Sequence, residues 1–194
     1  MIEVEKKCLA TASFLDFLNK HAEKLGERVY EDICFDFTDL RLITNDIWLR
    51  KRNGRYELKF PMAVEGKKSD VYEEIEDEVQ ILAKLDLKDF DCLMQLVTLI
   101  TRRQKFQIDD FHIDIDAITS PGTEFSYNMM EVELMVESAE QYETAQRRVL
   151  EFMREHSLKE QVVNGKVVEY FRLYRRDIFK SLKTNPHYAH RTIE

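Results

Sequence analysis

Long apolar runs are absent from this sequence, and glycine and proline are scarce. Only 5 glycines and 3 prolines occur in 194 residues, so we expect no flexible linker, low-complexity segment or repeat built on them. No apolar run approaches the roughly 20 residues that a membrane-spanning helix requires, and the acidic start of the chain does not resemble a secretory signal. These absences predict a soluble protein without a membrane partner.

Cysteine is equally rare, and Cys8, Cys34 and Cys92 are far apart in the sequence. Their number and spacing fit neither a disulfide framework nor a zinc site. We therefore expect reduced thiols in a cytoplasmic protein.

Composition limits the size of the fold and the kind of ligand. With 44% apolar and 34% charged residues, the sequence predicts a single domain over residues 1–182 and a flexible tail over 183–194. The net charge is −8, from 29 basic and 37 acidic residues, which argues against nucleic acid as a partner. A compact polyanion fits better, provided that basic groups are concentrated in one place and a divalent cation is also bound.

Charged residues alternate with apolar ones from the beginning of the chain. In residues 2–7 the side chains of Glu3, Glu5 and Lys7 fall on one face of a predicted strand, and Ile2 and Val4 fall on the other. The same charged period recurs in several later segments. A solvent-exposed edge explains one such strand, but it explains the repetition poorly.

A hairpin over residues 47–60 repeats this pattern. Asn53-Gly54 favours a two-residue type I′ turn, which places Arg50 opposite Glu57 and Trp48 opposite Lys59. The face that these pairs share carries Trp48, Arg50, Arg52, Arg55, Glu57 and Lys59.

A second hairpin is predicted to turn at Asp109-Asp110, which places Lys105 opposite Asp114 and Arg103 opposite Asp116. A further strand at residues 131–134 carries the carboxylates of Glu131 and Glu133 on one side.

Helical periodicity predicts the remaining elements. The helices are expected over residues 11–25, over 70–99 in two pieces broken near Leu87-Lys88, and over 138–156. Asn164-Gly165 predicts a turn into residues 166–171, and a final helix is expected to run to about Leu182.

The fold class predicted from these patterns is α+β. The helices must pack on the apolar faces of the strands, so the charged faces must turn away from the helices. An antiparallel sheet closed into a β-barrel, with helices outside and a charged interior, satisfies this constraint. An enclosed wall of unpaired charge is costly, and a bound polyphosphate with metal ions would offset that cost.

The order of these residues resembles the CYTH superfamily, also called triphosphate tunnel metalloenzymes. The matching residues are Glu3, Glu5 and Lys7, then Leu49 to Arg52, Glu57 to Lys59, Arg103, Asp114 with Asp116, Glu131 to Glu133, and Lys166. The resemblance spans residues 2–182 and implies a closed barrel of eight antiparallel strands that forms a triphosphate tunnel.

Within the superfamily the sequence is most similar to the thiamine triphosphatases. That similarity implies that Trp48, immediately before Leu49-Arg50, stacks on the thiamine moiety, and a cationic thiazolium over an indole is favourable by about 1–2 kcal/mol. One position departs from the pattern. Where thiamine triphosphatases have Tyr-Tyr-Asp, this chain has Cys34-Phe35-Asp36, so a tyrosine hydroxyl is missing at Cys34.

The resemblance also implies roles for individual residues. Expected ligands for Mg²⁺, or for Mn²⁺, are Glu3, Glu5, Asp114, Glu131 and Glu133. Expected substrate-binding residues are Arg50, Arg52, Lys59, Arg103, Lys166, Trp48 and Glu57. Expected catalytic residues are Lys7, Lys59, Arg103 and Lys166, while the identity of a general base stays open.

The predicted activity is hydrolysis of the terminal phosphate of thiamine triphosphate by a monomeric protein. An inorganic or nucleoside triphosphatase of the same superfamily is the first alternative. A binding module that senses polyphosphates or folded RNA without turnover is the second, and adenylate cyclase activity ranks below both.

Overall fold

Eight antiparallel strands form one curled sheet in this computed structural model, which describes residues 2–64, 67–159 and 163–184. The strands are β1 Ile2–Cys8, β2 Glu23–Asp36, β3 Trp48–Arg52, β4 Arg55–Val64, β5 Lys67–Ile75, β6 Met94–Ile108, β7 Phe111–Thr119 and β8 Ser126–Val136. They pair in the order β1-β8-β7-β6-β2-β3-β4-β5. The predicted α+β class with eight antiparallel strands is confirmed, and the sheet forms a half-barrel.

Both predicted hairpins are confirmed residue by residue. Asn53 and Gly54 have φ angles of 47° and 89°, as a type I′ turn requires, and Arg50 faces Glu57 across β3 and β4. In the second hairpin Arg103 faces Asp116 across β6 and β7. The charged residues therefore share the concave face of the curled sheet.

Five helices occur in the described part of the chain: α1 Ala12–His21, α2 Glu78–Leu85, α3 Tyr142–Glu155, α4 Lys166–Tyr174 and α5 Arg176–Thr184. Short 3₁₀ turns at Ile43–Asn45 and Ala139–Gln141 precede β3 and α3. No helix within these described ranges is long and apolar enough to span a membrane.

Three of the helices pack on the convex side of the sheet. Phe14 of α1 and Val149 of α3 join a core with Val4 and Val132, which alternate with the charged residues of β1 and β8. Helix α2 inserts Ile81 into a separate core behind β3 and β4. These contacts agree with the prediction that helices cover the apolar faces.

Helices α4 and α5 depart from that prediction because they pack on the concave side. Phe171 of α4 and Leu182 of α5 are fully buried against Leu99 and Ile118, which are in register with the charged face of β6 and β7. The concave side is therefore charged over one part and apolar over another, since two helices fill one end of the half-barrel.

The segment 70–99 is the largest error of the sequence analysis. Residues up to Ile75 belong to β5, only Glu78–Leu85 is helical, and β6 begins at Met94. The spacing of Tyr72, Ile75 and Val79 fits a helical stripe, but pairing with β4 overrides this weak local signal. In β6, likewise, ladder pairs with β2 and β7 determine the conformation.

Two further boundaries were wrong for local reasons. Helix α1 ends at His21, before the predicted end at residue 25, and Gly26 lies in β2 with a φ of 133° at a β-bulge. Residues 166–171, predicted to follow a turn and precede the last helix, are themselves helical. Lys183 and Thr184 belong to α5, and the rest of the predicted tail lies outside the described residues.

A truncation at Leu99 tests the packing of α4 and α5 on the concave side. Leu99 is fully buried, so Leu99→Ala should lower the free energy of unfolding by about 2–5 kcal/mol, measured by urea denaturation. Val79→Ala, at a side chain that is 75% exposed, is the matched control and should change it by less than about 0.5 kcal/mol. Equal effects of the two changes would contradict this packing.

Candidate functional site

The concave side of the half-barrel encloses a cavity of about 640 Å³. Every residue to which the sequence analysis gave a role lines it: Glu3, Glu5, Lys7, Trp48, Arg50, Arg52, Glu57, Lys59, Arg103, Asp114, Glu131, Glu133 and Lys166. They come from β1, β3, β4, β6, β7, β8 and the beginning of α4. The structure thus gathers residues that are up to 163 positions apart into one charged cavity.

Five carboxylates form two overlapping acidic groups at one side of this cavity. Oxygens of Glu3, Glu5 and Glu133 lie within 4.8 Å of one another, and so do oxygens of Asp114, Glu131 and Glu133. Antiparallel pairing brings them together, because β8 lies between β1 and β7 and places Glu133 opposite Glu5.

Crowding makes these carboxylates hard to ionise together. Burial, followed by repulsion from Glu3 and Asp114, raises the pKa of Glu133 to about 9. Burial and the neighbouring Glu5 raise the pKa of Glu3 to about 7. Burial also raises the pKa of Asp114. A divalent cation among these oxygens would favour their ionised forms.

One buried oxygen of the acidic groups tests whether they fit a metal ion. Asp114 Oδ1 is buried and has no hydrogen-bond partner among the described residues. Buried polar atoms normally have a partner, and carboxylate oxygens are the donors that Mg²⁺ and Mn²⁺ prefer. The donor set therefore fits a hard divalent cation.

Arg103 lines the cavity and is held by three carboxylates. Its Nε and Nη2 each donate to Asp116 at 2.7 Å, Nη1 donates to Asp114 at 2.5 Å, and Nη2 also donates to Glu131 at 2.7 Å. Burial alone would lower the pKa of Arg103, but these carboxylates raise it well above its usual range. The expected pairing of Asp116 with Arg103 is confirmed.

A second network centres on Asp32, which is fully buried in β2. Its oxygens accept hydrogen bonds from Arg52 Nε at 2.7 Å and Nη2 at 3.0 Å, and from Lys166 Nζ. Arg50 Nε lies 4.0 Å away. Burial alone would raise the pKa of Asp32, but these cations hold it well below its usual range.

Lys166 reaches this network from α4, of which it is the first residue. Besides Asp32, its Nζ donates to Thr101 Oγ1 at 2.8 Å. Burial lowers the pKa of Lys166 although the Asp32 carboxylate opposes the shift. Its side chain therefore connects α4 to the concave face of β2 and β6.

Lys7 and Glu5 form a close ion pair on β1, and Lys7 Nζ lies 3.4 Å from Glu131. Burial opposes charge on both groups, but the attraction between them outweighs it. The pKa of Lys7 is therefore raised and that of Glu5 lowered, each well outside its usual range. Lys7 thus borders the acidic groups.

Aromatic side chains line another part of the cavity. Trp48 Nε1 donates to Asp46 Oδ1 at 3.0 Å, and Tyr72 Oη donates to Asp46 Oδ2 at 2.6 Å. Lys59 Nζ lies 5.0 Å from the centre of the Tyr72 ring. Arg50 also lies in this region, where it binds Glu57 at 2.6 Å.

Sequence reasoning missed several residues of the site. Asp32, Tyr72 and Glu74 line the cavity. Asp46 and Thr101 form hydrogen bonds with side chains that line it. Asp32 received no role in the sequence-based prediction. Tyr72 and Glu74 were assigned to a helix. They are two positions apart, however, and lie between the apolar residues Val71 and Ile75, a pattern that also fits a strand. Asp46 and Thr101 carry no distinctive sequence signal.

Cys34 lines the cavity at the position where the sequence departs from the thiamine triphosphatase pattern. It is buried and lies opposite Arg50 across β2 and β3. Burial raises the pKa of its thiol to about 12, so the neutral form prevails at neutral pH.

Comparison with known families supports the fold. The CYTH domain model matches residues 1–163, which is most of the chain. The chain belongs to the CYTH domain family. This domain therefore has the fold class that the ordered charged residues predict.

Solved structures share the fold of this CYTH domain. The protein PH1819 from Pyrococcus horikoshii OT3 is 20% identical, with a TM-score of 0.58 over 81% of this chain and 92% of that chain. A candidate adenylate cyclase from Bacillus halodurans is 16% identical, with a TM-score of 0.59 over 88% and 97%. A candidate adenylyl cyclase from Hippeastrum, described as having a dominant triphosphatase activity, is 15% identical, with a TM-score of 0.56 over 96% and 98%. No curated protein matches the sequence.

Asp32→Asn tests the second network, because it removes a buried charge while conserving size. The cations left unpaired should lower the free energy of unfolding at pH 7 by about 3–5 kcal/mol. The pKa of Asp32 is lower in the folded state than its ordinary 3.8. The Asp32 carboxylate therefore adds to the free energy of unfolding above the unfolded-state pKa, and this stabilisation is lost as the pH falls through the folded-state pKa.

The difference in the free energy of unfolding between wild type and Asp32→Asn, measured by urea denaturation, should thus stay constant from about pH 7 to about pH 5. It should become smaller only below about pH 4. Asp16→Asn, at an exposed position in α1, is the control and should show little difference at any pH. A difference that grows on acidification would contradict the assigned direction of the pKa shift.

Proposed function

We propose that this protein is a metal-dependent hydrolase that removes the terminal phosphate of thiamine triphosphate, giving thiamine diphosphate and orthophosphate. One observation carries the proposal: five carboxylates and a set of arginine and lysine side chains line the same cavity. Hydrolysis of a phosphoanhydride depends on charge neutralisation and alignment more than on covalent catalysis. A cavity with both signs of charge supplies these two requirements.

The cations are the phosphate-binding groups of the proposal. Arg50, Arg52, Lys59, Arg103 and Lys166 would bind the phosphate oxygens, and arginine can do so with two parallel hydrogen bonds. Without a ligand, carboxylates satisfy most of these groups, as Asp32 does for Arg52 and Glu57 for Arg50. These carboxylates already orient the cations, and phosphate oxygens would replace part of the hydrogen bonds when substrate binds.

The acidic groups are the metal-binding part of the proposal. Glu3, Glu5 and Glu133 would hold one Mg²⁺ or Mn²⁺ ion, and Asp114, Glu131 and Glu133 would hold a second. When bound, such ions neutralise phosphate charge and lower the pKa of water. Lys7, which contacts Glu5 and Glu131, would position the phosphates next to these carboxylates. We assign no general base.

The aromatic part of the cavity favours thiamine as the organic group. Trp48 offers an indole beside Lys59, to which it is paired across β3 and β4. Glu57 and Glu74 lie close by and would attract a positively charged ring. The Hippeastrum structure supports the hydrolytic class, since its description reports triphosphatase activity.

The remaining features stay predictions. We propose a monomer in the cytoplasm that takes a small-molecule triphosphate and binds neither nucleic acid nor membrane. We also propose that the half-barrel closes around the triphosphate, because its end strands β1 and β5 already contact each other.

The substrate is tested by comparing kcat/KM for thiamine triphosphate, tripolyphosphate and ATP with Mg²⁺. Trp48→Ala should lower kcat/KM for thiamine triphosphate by about tenfold or more and leave that for tripolyphosphate within about twofold, because only the former has a ring to stack. Trp48→Phe is the matched variant and should recover part of the preference. An unchanged preference in Trp48→Ala would favour an inorganic or nucleoside triphosphatase.

The metal ligands are tested with Glu133→Gln and Glu5→Gln. Each should abolish turnover and weaken Mn²⁺ binding by about tenfold or more, measured by titration calorimetry, while the circular dichroism spectrum stays native. Glu151→Gln, at an exposed site on α3, is the control. Full activity in either variant refutes its role as a ligand.

A non-catalytic module gives a different result in the same assays. Wild-type protein would then bind tripolyphosphate and Mn²⁺ but hydrolyse nothing with either Mg²⁺ or Mn²⁺. That outcome would replace the hydrolase proposal by a polyphosphate sensor.

A further inference from the structure

A single buried carboxylate ties together the two aromatic side chains of the cavity. Asp46, only 6% exposed, accepts a hydrogen bond from Trp48 Nε1 through one oxygen and from Tyr72 Oη through the other. Trp48 begins β3, whereas Tyr72 lies on β5, two strands away in the pairing order. The carboxylate therefore fixes the indole relative to a ring from a different strand.

Hydrogen bonds hold the backbone of the segment that carries Asp46. Asp36, fully buried at the end of β2, accepts hydrogen bonds from the backbone N–H groups of Phe37, Leu42 and Ile43 at 2.7–3.0 Å. Asp46 then ends the 3₁₀ turn in a left-handed conformation with φ 61°, and its N–H donates to Ile43 O. This backbone determines where the Asp46 carboxylate lies.

The aromatic pair adjoins the phosphate-binding cations. Lys59 lies opposite Trp48 on one neighbouring strand and opposite Glu74 on the other. Its Nζ is also 5.0 Å from the Tyr72 ring. A group held between Trp48 and Tyr72 would consequently be next to phosphates bound by Lys59.

We propose that Asp46 is a positioning residue that orients Trp48 and Tyr72 to receive a cationic aromatic group attached to the phosphates. This rests on the proposed function, and it extends that function to a residue that need not touch substrate. The attraction of a cation for an aromatic ring depends on the cation lying over the ring face. Fixing the polar ends of both rings limits their rotation and so keeps the binding geometry.

The inference predicts a selective defect. Loss of one hydrogen bond from Asp46 should let an aromatic ring rotate, which weakens binding of a ligand with a ring. A ligand consisting of phosphates alone uses the cations and the acidic groups, so its affinity should change little. Thiamine diphosphate and inorganic diphosphate form a matched pair of probes, because they share the phosphates and differ in the thiamine.

Asp46→Asn is the principal variant. Asparagine adopts the left-handed conformation readily and keeps the size. Its NH₂ group replaces one of the two carboxylate oxygens, so either Trp48 or Tyr72 loses its acceptor. Tyr72→Phe removes one of the two hydrogen bonds without altering Asp46, and it covers the case in which Asp46→Asn fails to fold. Asp39→Asn, at an exposed site in the same segment, is the control.

Trp48 is the one tryptophan of the chain, so its fluorescence reports on the site directly. In the presence of Mg²⁺, Asp46→Asn should raise the Kd for thiamine diphosphate, measured by quenching of Trp48 fluorescence, about tenfold. It should leave the Kd for inorganic diphosphate, measured by calorimetry, within about twofold of wild type. Tyr72→Phe should give a smaller shift in the same direction. Acrylamide should quench Trp48 more strongly in Asp46→Asn than in wild type or Asp39→Asn.

Equal losses for both probes would overturn the inference, since they would mark Asp46 as merely structural, and unchanged affinities would overturn it as well. Wild-type protein that binds the two probes equally well would also refute it, even if triphosphatase activity is found. If wild-type protein binds thiamine diphosphate more tightly but hydrolyses no triphosphate, the proposed function fails while the two affinities still decide the role of Asp46.

Discussion

Pairing of buried charge is the interaction on which the rest of this structure depends. An unpaired buried ion costs several kcal/mol, so most groups on a charged concave face must satisfy one another. Arg103 with its three carboxylates and Asp32 with Arg52 and Lys166 meet that condition. Apolar side chains on the opposite faces of the same strands supply the cores that stabilise the sheet.

The Asp32 network and the acidic groups differ in what a ligand would change. Asp32 is satisfied almost entirely by cations, so it holds Arg52 and Lys166 in place and leaves them able to attract phosphate. The acidic groups remain under-compensated, as the raised pKa of Glu133 and the unpaired oxygen of Asp114 show. Phosphates would bind the cations, and a divalent cation would compensate the carboxylates. An anion or a cation alone would do only one of the two.

Sequence alone predicted the parts of the fold that depend on local chemistry. The turn at Asn53-Gly54 determines the register of its hairpin, and that register put Arg50 beside Glu57 without knowledge of the rest. Sequence failed where a segment fits two periods, as in β5, whose Tyr72 and Ile75 also fit a helix. It also missed the helical conformation of residues 166–171, because the position of α4 on the concave side results from tertiary packing around Phe171 and Leu99.

Completion of the site depends on the curl of the sheet. Glu3 and Glu5 lie on β1 and Lys59 on β4, which are nearly at opposite ends of the pairing order. In a flat sheet of this order they would be separated by several strands of about 4.8 Å each. Instead Lys59 affects the pKa of both glutamates, and all three line one cavity. The acidic groups and the aromatic pair held by Asp46 thus become parts of a single site only because the sheet brings its two ends together.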